Sequence, residues 1–241
     1  MRTIRRTLTA AALAAPLALA GCGEAAPQVP PSAAQWRDCT TDEFDELPGP
    51  LARLRGSGGE ALTVKVGPES GPCAGGLLVR DGSGVAGVDV APLDLDPTTA
   101  RVVTLASHGG EPRQLLRVDG GSHPRGGFQP HLFALYDGIT EVTLDGGPLL
   151  PFVATDGGAA PMTARCDDSG GIAVLTATTS EPPGVVLAWD VRRTTYTVED
   201  GEAQSAGTQQ IRDHAADPVL RKEIPELFEP TALLADCSVR P

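Results

Sequence analysis

The chain has 241 residues, with 31 Asp+Glu against 19 Lys+Arg and a formal net charge of −12; three of the arginines lie in the first 21 residues, so the remainder falls to −15. Such a balance argues against non-specific nucleic-acid binding and against docking on anionic lipid, because both need a cationic surface. Aromatic residues make up only 4% of the chain, so the core has to be built from Val, Leu and Ala.

Arg2, Arg5 and Arg6 form a charged start, and Leu8 to Ala20 is an apolar run broken only by Thr9 and Pro16. That length suits the hydrophobic region of a signal peptide and falls short of the roughly 20 apolar residues that span a bilayer. The run ends in Leu19-Ala20-Gly21-Cys22, which resembles the lipobox of bacterial lipoproteins. The resemblance implies a signal peptide over residues 1–21 and a diacylglycerol thioether on Cys22. The mature N-terminus would then be acylated, palmitate-type chains included, and would sit in membrane lipid on the extracytoplasmic face of the cell membrane. Two acyl chains hold stably where one alone is marginal. The Arg5-Arg6 pair fits either general or twin-arginine export. Residues 22–36 are Pro/Ala-rich and cannot bury a core, so they are expected to form an extended tether. The preference for Arg over Lys resembles that of GC-rich actinobacteria.

Four cysteines remain: Cys39, Cys73, Cys166 and Cys237. An even number in an exported chain points to two disulfides with three possible connectivities. Sequential pairing, Cys39 with Cys73 and Cys166 with Cys237, is favoured; a Cys39–Cys237 closure stays open. No two are spaced as in zinc or redox Cys-x-x-Cys sites.

From residue 37 onward the elements follow in order. Thr40-Thr41-Asp42-Glu43 has the pattern of a capping box for a short helix. "PLARLRG", with Pro50 first and Gly56 last, is expected to be another helical turn. Asp94 and Asp96 alternate with Leu93 and Leu95, as on the wet face of a strand. Asp-Gly pairs at 81, 119, 137, 145, 156 and 200 are read as turns between strands. The stretch 131–144 is expected to be a hairpin about Asp137-Gly138 with one buried and one wet face, and "LLPFVA" at 149–154 to add a strand. "GIAVLTAT" and "GVVLAWDV" follow as strands around a Pro-Pro turn, and "TTYTVEDGEA" turns at Asp200-Gly201. Asp217 is expected to cap a last helix with Pro218 at its first position, burying Leu220 and Ile224 before Pro225. A faint echo links 104–119 with 175–190 at an offset of about 70 residues, weaker than repeat architectures show. The expectation is a single all-β domain over 37–241. Its antiparallel hairpins and meanders would form a sandwich or a partial propeller-like assembly, with short helices near both ends.

For chemistry, "RCDDSGGIAVLTA" (165–177) resembles the nucleophile motif of chymotrypsin-like serine proteases. Asp167 replaces the glycine two residues before the serine, and Ile172 replaces the proline that follows the motif. With no matching histidine motif, Ser169 is read as part of a hairpin turn. No Gly-x-Ser-x-Gly elbow, phosphate loop or His-Glu-x-x-His pair occurs, so no catalytic residue, cofactor or metal is assigned. Glu199, Asp200 and Glu202 crowd one turn but lack a calcium ladder. Residues 101–131 stand out, with Arg101, Arg113, Arg117 and Arg125 against Glu111 and Asp119. Three of the four histidines also fall there, and residues 119–130 look like a long exposed loop. Arginine forks suit carboxylates and phosphates, so His108, Arg113, Arg117, His123, Arg125 and His131 are candidate contacts for an anionic small molecule or acidic glycan. The functional expectation is a membrane-anchored lipoprotein with a non-enzymatic ligand-binding or envelope structural role. The alternatives are an extracytoplasmic hydrolase with an unrecognised active site and a calcium-dependent adhesion module.

Overall fold

The computed structural model describes residues 39–56, 59–81, 84–106, 112–121, 126–135, 138–154, 160–179, 188–229 and 232–237. The expected signal peptide, Cys22 and the tether lie outside the described residues, as do His108, His123, Arg125, the Pro-Pro turn and the 156–157 pair. The described residues all belong to one compact unit.

The molecule is all-β with short helices near its ends. Helix α1 (Thr41–Glu46) is followed by β1 (Ala52–Arg55), β2 (Ala61–Val66), β3 (Gly76–Asp81) and β4 (Gly84–Asp89). These strands pair in chain order as a four-stranded antiparallel sheet. Strands β5 (Leu95–Leu105), β6 (Arg113–Gly120), β7 (Gln129–Leu135) and β8 (Ile139–Glu141) make a second meander of the same kind. The third sheet holds β11 (Met162–Cys166), β12 (Ile172–Thr178), β13 (Ala188–Glu199) and β14 (Glu202–Ala216), again in sequence. The short strands β9 (Thr143–Leu144) and β10 (Gly147–Pro148) extend it beside β14, and α2 (Asp217–Glu223) follows.

The three sheets stack as a sandwich. Leu54, Val64, Leu77 and Val79 of the first sheet pack against Leu116, Val118 and Phe133 of the second. The opposite face of the second sheet presents Leu115, Leu132 and Ala134 to Met162, Ala164, Ile172 and Val174 of the third. Helices close the outside. Phe44 of α1 covers Leu78 and Val85, and Leu220 of α2 covers Leu175, Ala177 and Val191. The strand at 131–135 is therefore buried on both faces, which corrects the half-wet hairpin expected for 131–144. "HLFAL" is apolar nearly throughout because both of its faces are buried, as for any strand covered on two sides.

Helix α1 begins as expected. Thr40 accepts from the Glu43 N–H at 3.2 Å while the Glu43 carboxylate accepts from the Thr40 N–H at 2.8 Å, so two unpaired helix donors are satisfied reciprocally. The Thr40 N–H and then the Thr40 hydroxyl, both donating to it, hold the Glu43 carboxyl below its ordinary pKa. The segment 50–56 is not helical. Arg53 and Arg55 are exposed around buried Leu54, and pairing with β2 overrides the Pro and Gly punctuation. Residues 149–154 are not a strand either; Leu149 and Leu150 enter the core while only Val153 bridges Phe128. Pro151 has no N–H to offer a ladder.

Asp145-Gly146 and Asp200-Gly201 form tight turns with positive φ at both residues, 51° and 79°, then 51° and 80°, the geometry that right-twisted hairpins favour. Asp94 (φ 46°) lies in a turn just before β5 rather than on a strand, though it and Asp96 are both exposed. Asp119-Gly120 is the exception among the described pairs: both residues stay inside β6. In α2 the burial of Leu220 and Ile224 follows expectation, but the helix starts one residue early, at Asp217, so Pro218 takes its second position. Asp217, however, caps nothing; it accepts from Trp189 Nε1 at 3.0 Å and from Arg221 Nε at 2.6 Å. The 104–119 and 175–190 echo falls on strands one and two of one meander but two and three of another, so the two pieces are not equivalent.

Two disulfides join Cys39 to Cys73 and Cys166 to Cys237, the sequential pairing. The first ties the start of α1 beneath the first sheet. The second ties the C-terminal segment to β11.

Candidate functional site

Of the residues named for an anionic ligand, Arg113, Arg117 and His131 are described, and these three do not form one site. Side chains alternate between faces along a strand, and the middle sheet uses that alternation to separate them. Arg117 shares its face with Leu115, toward the third sheet. His131 shares its face with Phe133, toward the first sheet. They point away from each other across the sheet.

Each is also occupied internally. Arg117 is 7% exposed, and its Nε and one terminal nitrogen donate to the two carboxylate oxygens of Asp119 at 2.9 and 2.8 Å. Its other terminal nitrogen donates to the Leu233 carbonyl at 2.7 Å, and the guanidinium lies 5.7 Å from the Phe128 ring centroid. Asp119 in turn accepts nothing from a turn partner; its N–H donates to the Thr99 hydroxyl at 2.8 Å. The unit is a neutralised buried pair that secures the C-terminal segment. His131 is 4% exposed, with Nδ1 at 2.6 Å from Glu141 Oε1 on the neighbouring strand. Both residues are structural braces.

Ser169 sits in the β11–β12 hairpin. Asp167 Oδ1 accepts from the Ser169 N–H at 2.8 Å, and the backbone closes from Gly170 N–H to the Asp167 carbonyl and from Asp167 N–H to the Gly171 carbonyl, each at 2.9 Å. The Asp167 carboxyl is held below its ordinary pKa, first by the Ser169 N–H, then by its hydroxyl and by Arg193. Arg193 pairs with it directly. Among the described residues, no group of three or more His, Cys, Asp or Glu side chains is placed to hold a metal ion.

The remaining candidate among the described residues, Arg113, lines a cleft of about 610 Å³ where ends of all three sheets meet. Arg55 stands at the end of β1, Arg113 and Gln114 begin β6, Glu199 ends β13 and Asp200 opens the β13–β14 turn. Gln114 Oε1 accepts from the Arg55 N–H at 2.7 Å, fixing the first sheet to the second. A terminal nitrogen of Arg113 donates to the Val198 carbonyl at 2.6 Å, reaching to the third. The acidic turn is docked as well: Thr143 N–H donates to the Gly201 carbonyl at 3.0 Å. A Cβ on Gly201 would lie 2.5 Å from Thr140 Cγ2, so only glycine allows that approach. The volume falls within the range of small-molecule sites, about 300–1,000 Å³.

Sequence patterns pointed to Arg113 but not to Arg55 or Gln114, and placed Glu199 and Asp200 only in an acidic turn. Cleft membership depends on which strand ends converge, and no local pattern records that. A strand reading of Arg53-Leu54-Arg55 would have put Arg55 at a strand end.

Comparisons with protein-family models, with curated proteins and with solved structures found no match for this chain.

Proposed function

We propose that this chain is an exported lipoprotein, held on the extracytoplasmic face of the cell membrane through acylated Cys22, whose β body binds a small ligand and does not catalyse a reaction. The Leu19-Ala20-Gly21-Cys22 sequence after an arginine-led apolar run supports the anchor. Two disulfides suit an oxidising compartment. Among the described residues, no helix is long and apolar enough to cross a membrane.

The observation that carries the binding role is the cleft at Arg113. Among the described residues its charged groups have no oppositely charged partner, while the buried pairs elsewhere, Arg117 with Asp119 and His131 with Glu141, consume one another. The anchor is tested by Cys22→Ala, which should move the protein from the membrane fraction to the soluble fraction with its melting temperature unchanged. Retention of the variant in membranes would contradict it. The binding role is tested by a thermal-shift screen of the mature protein against small anions, zwitterions and acidic sugars. Stabilisation that Arg55→Ala abolishes supports the cleft; no response to any class counts against it.

A further inference from the structure

The charges of the cleft are arranged for a ligand carrying both signs. Arg80, Arg117, Arg165, Arg193, Arg212 and Arg221 each have a carboxylate partner. Among the described residues Arg55 and Arg113 have none, as is also true of Arg53, Arg101 and Arg192, and neither do Glu199 and Asp200; what sets these four apart is that they line one cleft. Arg113 uses a single nitrogen on the Val198 carbonyl, which leaves the other guanidinium donors open. Opposite charges in one concavity that do not meet are separated by space, here about 610 Å³.

The backbones that carry these charges are tied in place: the Arg55 N–H donates to Gln114, and the acidic turn is held through Gly201 against β8 and β9. A bound carboxylate would complete the guanidinium pair bidentately, as arginine forks favour, and an ammonium would meet Glu199 and Asp200. A purely anionic ligand would leave two carboxylates unpaired beside it, a like-charge penalty that a zwitterion avoids.

We infer that the cleft takes a zwitterionic ligand of amino-acid or short-peptide type, its carboxylate toward Arg55 and Arg113 and its ammonium toward Glu199 and Asp200. This rests on the cleft being the binding site. The test is calorimetric titration of the mature protein with the dipeptide Ala-Ala, with its N-acetylated form and C-terminal amide, and with succinate. Ala-Ala should bind, and each blocked form should bind about tenfold more weakly, the worth of one charge-assisted bond. Glu199→Gln should weaken Ala-Ala about tenfold and leave the N-acetylated form unaffected; circular dichroism would confirm an intact fold. Equal binding of free and blocked forms, or no binding of Ala-Ala at millimolar concentration, overturns the inference. Succinate binding without Ala-Ala binding would overturn it while sparing the cleft as a site. Silence from every probe would remove both.

Discussion

Arg117 and Asp119, two residues apart on β6, lock their side chains together through two hydrogen bonds of 2.9 and 2.8 Å inside the molecule. Breaking one half of a buried pair strands the other charge, at a cost of about 3–5 kcal/mol. Arg117→Ala should therefore lower unfolding stability by about that amount in urea titration. Replacing both residues, Arg117→Met with Asp119→Leu, should cost clearly less, because no buried charge is left behind. A single variant as stable as the wild type would show the pair to be ornamental.

A second internal cation closes α1. Lys65 Nζ donates to the carbonyls of Phe44, Asp45 and Leu47 at 2.9, 3.1 and 3.0 Å, and lies 5.0 Å from the Phe44 ring centroid. The end of a helix leaves its last carbonyls unpaired, and one ammonium here satisfies three. Lys65→Met keeps the length and removes the donors, so it should cost about 2 kcal/mol. For a domain of this size that corresponds to a fall of about 4–8 °C in melting temperature.

Acid should loosen the β11–β12 turn. The Asp167 carboxyl is stabilised in its ionised form by the Ser169 N–H, the Ser169 hydroxyl and Arg193, so its folded pKa lies below the unfolded value. Stability from this group is present above the ordinary carboxylate range and is lost as pH falls through the depressed folded value. Asp167→Asn should lower stability at neutral pH by about 1–2 kcal/mol and should flatten the acid limb of the stability curve below about pH 4. An unaltered acid limb would contradict the assignment.

The disulfides close loops of 34 and 71 residues, each contributing about 4 kcal/mol in the chain-entropy account. Cys237→Ser with Cys166→Ser should also free the C-terminal segment. That segment is otherwise held by Leu234 N–H to the Ala164 carbonyl at 2.7 Å and by Arg117 to Leu233. Limited proteolysis should cleave the double variant near its C-terminus before the wild type; matching digestion rates would argue otherwise.

How far the sequence foretells this molecule depends on which residues speak locally. Asp200-Gly201 and Asp119-Gly120 are the same dipeptide, yet only the first turns. Asp119 is claimed by Arg117, and Gly120 stays in β6 paired with Gln129, where a Cβ would lie 2.4 Å from Leu93 O and only glycine fits. The capping box at Thr40 was legible since both partners are three residues apart. The strand at 52–55 was not, because its partner β2 decides it. The separation of Arg117 from His131 was hidden for a similar reason. Arg117 and His131 sit close in sequence pattern, but strand parity sends them to opposite faces, and Arg55 joins Arg113 only once the first and second sheets stack.

The anchored, ligand-binding account stands most directly on the mature N-terminus. Intact mass spectrometry of the polypeptide purified from the membrane fraction should show a chain beginning at Cys22 and carrying acyl mass on that cysteine. A processed chain without acyl mass, recovered from the culture fluid, would contradict it.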